Sequence, residues 1–329
     1  MTTGDLPDRA VPHTVDTHLG NDALTVLARH WPALYAHDRE ATPFQSPAYL
    51  TAAARQLPAA ATPLVLAART SGGRIVAALA LARHRDRSHA RGKVRIRALC
   101  ISPAAHLRLA GPHAEDDAVA RAFALHLLLW HETGIDLALA EPHADTALGR
   151  AVREVLPDRL TTNATPPAVL ALPFHFEALA PSRQREHARR CRHWAHLAAT
   201  HTVTYQRSHH QQALLAGLDV LTALQKLGPD AAAPWRALAP AIGASGAFVA
   251  DLHVDGAPIA AQLCLTRGRR CYSAAQAAHP GYRHLAPAHA LLRHLLDDLA
   301  QEGFHTLDPG RGTRGAASTA PGPPIRLAA

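Results

Sequence analysis

The sequence predicts an α/β chain built from two copies of one unit. Three observations carry this reading. A strand–turn–strand hairpin occurs twice, a helix closed by glycine and followed at once by a strand comes after each hairpin, and the 329 residues suit two domains of about 150 each.

The first hairpin is TPLVLAARTSGGRIVAALALAR, Thr62–Arg83, and the second is GAFVADLHVDGAPIAAQLCLTR, Gly246–Arg267. Their turns, Ser71-Gly72-Gly73 and Asp255-Gly256, carry the small and glycine residues that tight hairpins need. The runs after the turns match, Val76-Ala77-Ala78 against Ile259-Ala260-Ala261. In the second copy Phe248, Ala250, Leu252 and Val254 alternate with other residues, the period-2 pattern of a strand with one buried face.

The remaining elements follow in the same order in both halves. After the first hairpin come a strand at Val94–Ile101 and a helix at about Asp116–Thr133. Gly134 closes that helix, and a short strand follows at Ile135–Leu139. After the second come a strand at Cys271–Ala278, a helix at about Pro287–Glu302, the closing Gly303, and a strand at Phe304–Leu307. Between the halves, Thr161–Pro167 reads as a linker or strand entry and Val169–Leu172 as a short strand. A helix is expected at Pro181–His201, capped by Ser182, and another at about Gln211–Leu227. The expected domains are residues 1–172 and 173–329, the second entered through an arginine-rich helix.

Composition narrows the function classes. The net charge is +8, yet only Lys93 and Lys226 of the 34 basic residues are lysine, and Asn21 and Asn163 are the only asparagines. That skew fits a GC-rich coding sequence, so the arginine content alone does not argue for nucleic acid. An acidic substrate or a phosphate-bearing donor fits the charge. Cys100, Cys191, Cys264 and Cys271 form no CxxC pair and no disulfide framework, which suits a reducing compartment. Cys264 lies in an apolar run and reads as a small core residue. Met1–Asp16 is polar and broken by Pro7 and Pro12, unlike a signal peptide. Apolar runs such as Leu125–Trp130 fall short of the roughly 18 residues of a membrane helix. A soluble, cytoplasmic protein without membrane insertion is expected.

Three stretches carry a family resemblance. TPFQSPAYL (Thr42–Leu50), SRQREHARRCRHWAHL (Ser182–Leu197) and VDGAPIAAQLCLTRGRRCYSAAQAAHPGYRHLAPAHALLRHLLDDLAQEGFHTLDPGRG (Val254–Gly312) resemble the cellulose-biosynthesis-type acetyltransferases, a branch of the Gcn5-related N-acetyltransferase (GNAT) superfamily. The resemblance is diffuse before residue 180 and most specific from 246 onward. It implies two tandem GNAT-like units with mixed sheets flanked by helices, the architecture also of the peptide-bridge transferases that use aminoacyl-tRNA. Two departures stand out. Pro287-Ala288 replaces the family's usual Pro-Gly, and the stretch after Asp308-Pro309-Gly310-Arg311-Gly312 is short and loop-like.

A GNAT-like site must hold a phosphate-rich donor, usually acyl-CoA. A strand running into a helix start supplies free backbone N–H groups and partial positive charge. Tyr282–His289 occupies that place. Pro287 suits a first helical turn, Ala288 is small enough for a close phosphate, Arg283 offers a cation, and His289 completes the turn. In the first half the segment before the helix carries Glu115, Asp116 and Asp117, which repel phosphate. Gln276 on the preceding strand is a candidate for orienting the amine, or a sheet-face glutamine. Asp308 ends the last strand before a Pro-Gly turn and Arg311 follows it; they are candidates for amine positioning and for holding an anionic group, or Asp308 caps the turn. His279 and His284 flank the donor loop.

The basic helix offers two more constellations. His187 and Cys191 are four residues apart, with His193 and His196 near, but no second pair completes four ligands and HExxH is absent, so no metal is expected. Arg183, Arg185, Arg189, Arg190 and Arg192 form a cationic patch, with Glu186 placed to pair with Arg190. The expected activity is transfer of an acyl group, acetyl above all, from acetyl-CoA or another acyl-CoA to an amine of a small-molecule or glycan acceptor. The alternatives are an aminoacyl-tRNA donor, which the arginine helix favours, and a non-catalytic basic binding module, which Pro287-Ala288 and the short tail favour.

Overall fold

The computed structural model describes residues 14–86, 93–100, 107–138, 146–156, 169–226, 235–236, 242–243 and 246–309. Packing divides the chain into two compact units, residues 1–101 with 106–166, and 102–105 with 167–329. Each is a mixed sheet flanked by helices.

In the first unit β1 (Thr14–Leu19) leads through α1 (Asn21–Arg29), α2 (Trp31–His37) and α3 (Pro47–Arg55) to the hairpin β2 (Ala61–Arg69) and β3 (Ile75–Asp86). Then come β4 (Lys93–Ala98), α4 (Asp117–Glu132), β5 (Asp136–Ala138) and α5 (Ala147–Val155). The sheet order is β1-β2-β3-β4-β5; the first four strands are antiparallel and β5 adds parallel to β4.

The second unit contains β6 (Leu170–Ala171), α6 (Pro181–Thr200), β7 (Val203–Arg207), α7 (Gln211–Lys226), β8 (Ala247–Val254), β9 (Ala257–Arg267), β10 (Arg270–Ala278), α8 (Pro287–Gln301) and β11 (Thr306–Asp308). Its sheet order is β6-β11-β10-β9-β8-β7. Strands β7 to β11 thus repeat β1 to β5: four antiparallel strands, a helix, and a fifth strand parallel to the fourth. This common order is what the recurring hairpin predicts. The strand read at Val169–Leu172 pairs with β11, so it lies in the second sheet.

Local chemistry accounts for the punctuation. Asp255 and Gly256 both have positive φ, 50° and 79°, which lets a two-residue turn follow the right-handed twist of the β8–β9 strands. Gly134 and Gly303 take φ of 87° and 79° just past their helices. There the amide of Ile135 reaches back to Trp130 and that of Phe304 to Leu299, capping otherwise orphaned carbonyls. At α6 the expected cap moves. Ala180 is the N-cap, without a side-chain bond, and Pro181 is the first helical residue, where its missing N–H costs nothing.

The second sheet has two different faces. Phe248, Ala250, Leu252 and Val254 pack with Leu291, Leu295 and Leu299 of α8 in one core. Each such buried leucine contributes about 1.5–3 kcal/mol. The opposite face meets α7. A Cβ added at Gly217 of α7 would come within 2.7 Å of the Val249 side chain, so only glycine allows this approach. Cys264 is fully buried, as expected. The short elements β1, α1 to α3, α5 and β7 went unread from the sequence.

Candidate active site

The site is built around β10. Its parallel ladder with β11 covers only Arg270–Tyr272, which face Thr306, Leu307 and Asp308. Beyond that point β10 continues to Ala278 beside β9, with a bulge between Ser273 and Ala275. A bulge bends a strand and re-aims the residues after it. The two strands of the parallel pair therefore share only their first residues.

From β10 the chain passes through a 3-10 turn, Pro280–Leu285, into α8. Ala286 is the N-cap and takes a left-handed conformation, φ 49° and ψ 58°, unusual for a residue with a Cβ. Trp194 of α6 fixes this turn by donating its indole N–H to the Leu285 carbonyl at 2.8 Å. The α8 start has no side-chain cap and no acidic residue in its first turn. The amides of His289 and Ala290 bond the Ala286 carbonyl, Pro287 has none, and the Ala288 N–H has no partner among the described residues. The helix dipole there is uncompensated.

The equivalent helix of the first unit is already served. Asp116 caps α4, its Oδ1 accepting from the amides of Ala118 at 2.8 Å and Val119 at 3.3 Å, and Asp117 adds a second acid to the first turn. Glu115 is engaged by Arg108 at 2.7 Å and by the Ala147 amide at 2.9 Å. Ahead of this helix, Ala110 bridges to Ala78 of β3, and a Cβ at Gly111 would collide with the Val76 carbonyl oxygen. The chain is pressed onto its own sheet there.

The expected site residues fall into groups. Arg283, Pro287, Ala288 and His289 come together on the 3-10 turn and first turn of α8, with Arg283 exposed and Pro287 buried. The His289 ring turns toward α6, 3.5 Å from His187 Nδ1. Burial, and then Arg190, lower its pKa to about 4, so the ring is neutral at neutral pH. Gln276 pairs in register with the buried Gln262, which pairs with Ala250, so it lies on the α8 face. Asp308 is buried and pairs with Tyr272, one residue from the Leu307–Cys271 pair of the α8 core, which places it on the α7 face. Gln276 and Asp308 therefore address opposite faces of the sheet. Arg311 lies outside the described residues. His279 caps the 3-10 turn, its Nδ1 taking the Gly281 amide at 3.1 Å.

On α6, Glu186 binds Arg189 and Arg190, each at 2.7 Å, and these hydrogen bonds hold its carboxyl at about 2. The expected Glu186–Arg190 pair is thus formed. Arg183, Arg185 and Arg192 have no ion-pair partner among the described residues. Cys191 Sγ lies 3.4 Å from His187 Nε2 and 3.5 Å from Arg293 Nη1, and the His187 ring stacks on Phe176 at 3.9 Å. No group of three metal-ligating side chains occurs among the described residues.

One pair escaped the sequence reading. Asp251 and His253 of β8 are buried or nearly so, with His253 Nε2 at 2.6 Å from Asp251 Oδ1. Their i, i+2 spacing on a strand, which puts both on one face, was the available signal.

Residues 182–316 match the family model described as an acetyltransferase (GNAT) domain, a span that runs from α6 through β11. The match lies within the second unit. No curated protein matches the sequence. Among solved structures, the chain is similar to a tandem GNAT protein from the clavulanic acid biosynthesis pathway, with 15% identity over 89% of each chain and a TM-score of 0.43. It is similar to FemX, with 12% identity over 75% of this chain and 78% of that one and a TM-score of 0.44. It is also similar to L-PGS from Bacillus licheniformis, with 11% identity, 73% of this chain covered and a TM-score of 0.41; there it spans 66% of the other chain, just under two thirds. Among the described residues no helix is long and apolar enough to cross a membrane.

Proposed function

We propose that the protein is an N-acyltransferase whose second unit moves an acyl group, acetyl in the simplest case, from acyl-CoA to an amine of a small-molecule or glycan acceptor. The observation that carries this reading is the uncapped start of α8, placed directly after the bulged β10 within the residues that match the GNAT domain. The donor's phosphates would take the Ala288 N–H and the helix dipole, with Arg283 as a mobile cation. The thioester would lie along β10 beyond the last pair with β11. The amine nitrogen attacks the thioester carbon, a C–N bond forms, the C–S bond breaks, and the thiolate leaves with the proton that the amine loses. Asp308 positions the amine from the α7 face, and Gln276 lies on the donor side. The first unit, with Asp116 on its helix start, supports the fold without a donor. The family match is to the GNAT domain at large and does not single out the cellulose-biosynthesis-type branch.

A second donor remains in view on one observation. Arg185 and Arg192, seven residues apart on one exposed face of α6, have no ion-pair partner among the described residues, and such a face suits the backbone of a charged tRNA.

Calorimetric titration with acetyl-CoA of the wild type and of Ala288→Glu tests the assignment. A carboxylate in the first turn of a helix stabilises it by about 0.3–1 kcal/mol, so the variant should melt no earlier. The same charge repels phosphate, and affinity should fall at least tenfold. Equal affinity in a folded variant refutes the site.

A further inference from the structure

A cluster of chemically active side chains lies between α6 and α8, and the reaction proposed above does not use it. Cys191 Sγ is 3.4 Å from His187 Nε2 and 3.5 Å from Arg293 Nη1. His187 Nδ1 is 3.5 Å from His289 Nε2. The His187 ring stacks on Phe176 at 3.9 Å, and Phe176 meets Phe174 edge-on at 4.8 Å. Cys191 is half-buried, whereas Cys264 and Cys271 are enclosed. A nucleophile, a base within reach of it and a third group that orients the base are the parts of an activated thiol, and reactive thiols sit in partly exposed, cationic surroundings.

The protons of this cluster fall into one order. Arg293 can only donate, so it gives an N–H to the sulfur, and the thiol proton goes to His187 Nε2. Burial and then Arg293 lower the His187 pKa, so the ring is neutral at neutral pH. With Nε2 accepting, it carries its own proton on Nδ1 and donates it to the neutral ring of His289. His187 turns different nitrogens to Cys191 and to His289, so the three do not converge on one ion. Arg190 and Arg293 stand around the rings with Glu177 and Glu186, and Glu186 is already held by Arg189 and Arg190. The balance of charge is cationic.

We infer that Cys191 is a modification site that exchanges with anionic low-molecular-weight disulfides, with His187 as its base, and that the mixed disulfide loosens the start of α8. His187 Nε2 takes the thiol proton as Sγ attacks one sulfur of the disulfide, and the Arg293 N–H stabilises the charge on the attacking sulfur. A new S–S bond forms and the old one breaks. The departing thiolate leaves with the proton that His187 held, so Cys191 is oxidised and the departing sulfur is reduced. In the adduct the bond from the thiol to His187 is lost, and the added group stands where α6 meets His289 and Arg293 of the first two turns of α8. Trp194, three residues along α6, holds the Leu285 carbonyl just ahead of that helix. The exchange stands on this cluster alone; its effect on donor binding rests on the acyltransferase reading.

The test treats the full chain with glutathione disulfide, which is anionic, or with cystamine, which is cationic, and follows each cysteine by mass spectrometry of quenched, digested samples. Each rate is divided by that of the same cysteine in the urea-unfolded chain. With glutathione disulfide, Cys191 should react at least tenfold faster in the folded chain, and with cystamine it should gain less. His187→Gln and Arg293→Gln should each slow Cys191 at least tenfold, while Cys100 of the first unit, an internal reference, keeps its rate. The wild-type adduct should bind acetyl-CoA at least tenfold more weakly and recover with dithiothreitol, whereas Cys191→Ser should keep its affinity within twofold with or without the disulfide. A Cys191 rate no higher in the folded chain than in the unfolded one, or unchanged in both variants, overturns the proposal. Equal enhancement with cystamine overturns the charge selection, and equal acetyl-CoA affinity of the adduct overturns the link to α8. If the unmodified chain binds no acetyl-CoA while Cys191 still exchanges, the donor reading falls and the exchange stands.

Discussion

Replacing Trp194 with phenylalanine isolates the contact that holds the start of α8. Trp194 is 9% exposed and its indole N–H is the donor to the Leu285 carbonyl at 2.8 Å. Phenylalanine keeps most of the apolar contact in the α6–α8 core but removes the donor. The part-buried carbonyl then loses its partner, at a cost of about 1–3 kcal/mol. The smaller ring leaves a void worth up to about 1 kcal/mol, given roughly 24 cal/mol per Å³ of cavity. A total near 2 kcal/mol corresponds to about a 30-fold change in an opening equilibrium. Hydrogen exchange reads this segment directly and does not require the two units to unfold together. Amides of residues 285–295 should exchange about 30-fold faster in Trp194→Phe, while those of β2 and β3 in the first unit stay unchanged. Acetyl-CoA affinity should fall in parallel, because the Ala288 amide is no longer held in one orientation. Exchange within twofold of wild type across α8 would refute the idea that this bond sets the helix entry.

Ala286→Gly should raise the denaturation midpoint of the second unit. Relief of a left-handed alanine is worth about 1–2 kcal/mol, less about 0.4–1 kcal/mol for the freer unfolded chain; a lower midpoint would mean that Ala286 is unstrained. Asp308→Asn should cost on the order of a hundredfold in turnover with an unchanged melting temperature if the carboxylate works on the amine. An earlier melt with full turnover would make Asp308 a turn residue. For Glu186, whose folded value of about 2 lies below its ordinary 4.5, the stabilising effect is present above 4.5 and is lost as pH falls toward 2. Carbon-detected titration should show the Glu186 carboxyl returning to the ordinary range in Arg189→Gln/Arg190→Gln, and an unmoved midpoint would show that the arginines are not its partners.

The order of the fold was legible because its signals are local. Period-2 apolar runs, an Asp-Gly turn whose φ values must be positive, and glycines that end helices are readable from a few residues each. β7 was missed because its polar alternation, Val203-Thr204-Tyr205-Gln206-Arg207, draws its burial from Phe248 and α8 rather than from its own composition. Ser182 looked like a cap, but Pro181 claims the first helical position and moves the cap back to Ala180. The helix start at 287 could be read from its proline. The left-handed Ala286 could not, because alanine carries no preference for that conformation and it comes with the Trp194 bond and the 3-10 turn before it. That Gln276 and Asp308 face opposite ways depends on register and on the Ser273–Ala275 bulge, and a one-residue bulge leaves no mark in a stretch of small residues.

Asp116 gives the duplication a further meaning. A side chain that neutralises the helix start of its own unit is a tethered counter-ion, present at an effective concentration no diffusing anion can match. The first copy is thereby indifferent to the composition of its surroundings, since its α4 terminus is saturated at all times. The second copy has no such tether: its α8 start has neither a side-chain cap nor an acidic residue in the first turn. Two units alike in strand order thus differ in how their helix starts are neutralised, and the position that separates them is a single N-cap.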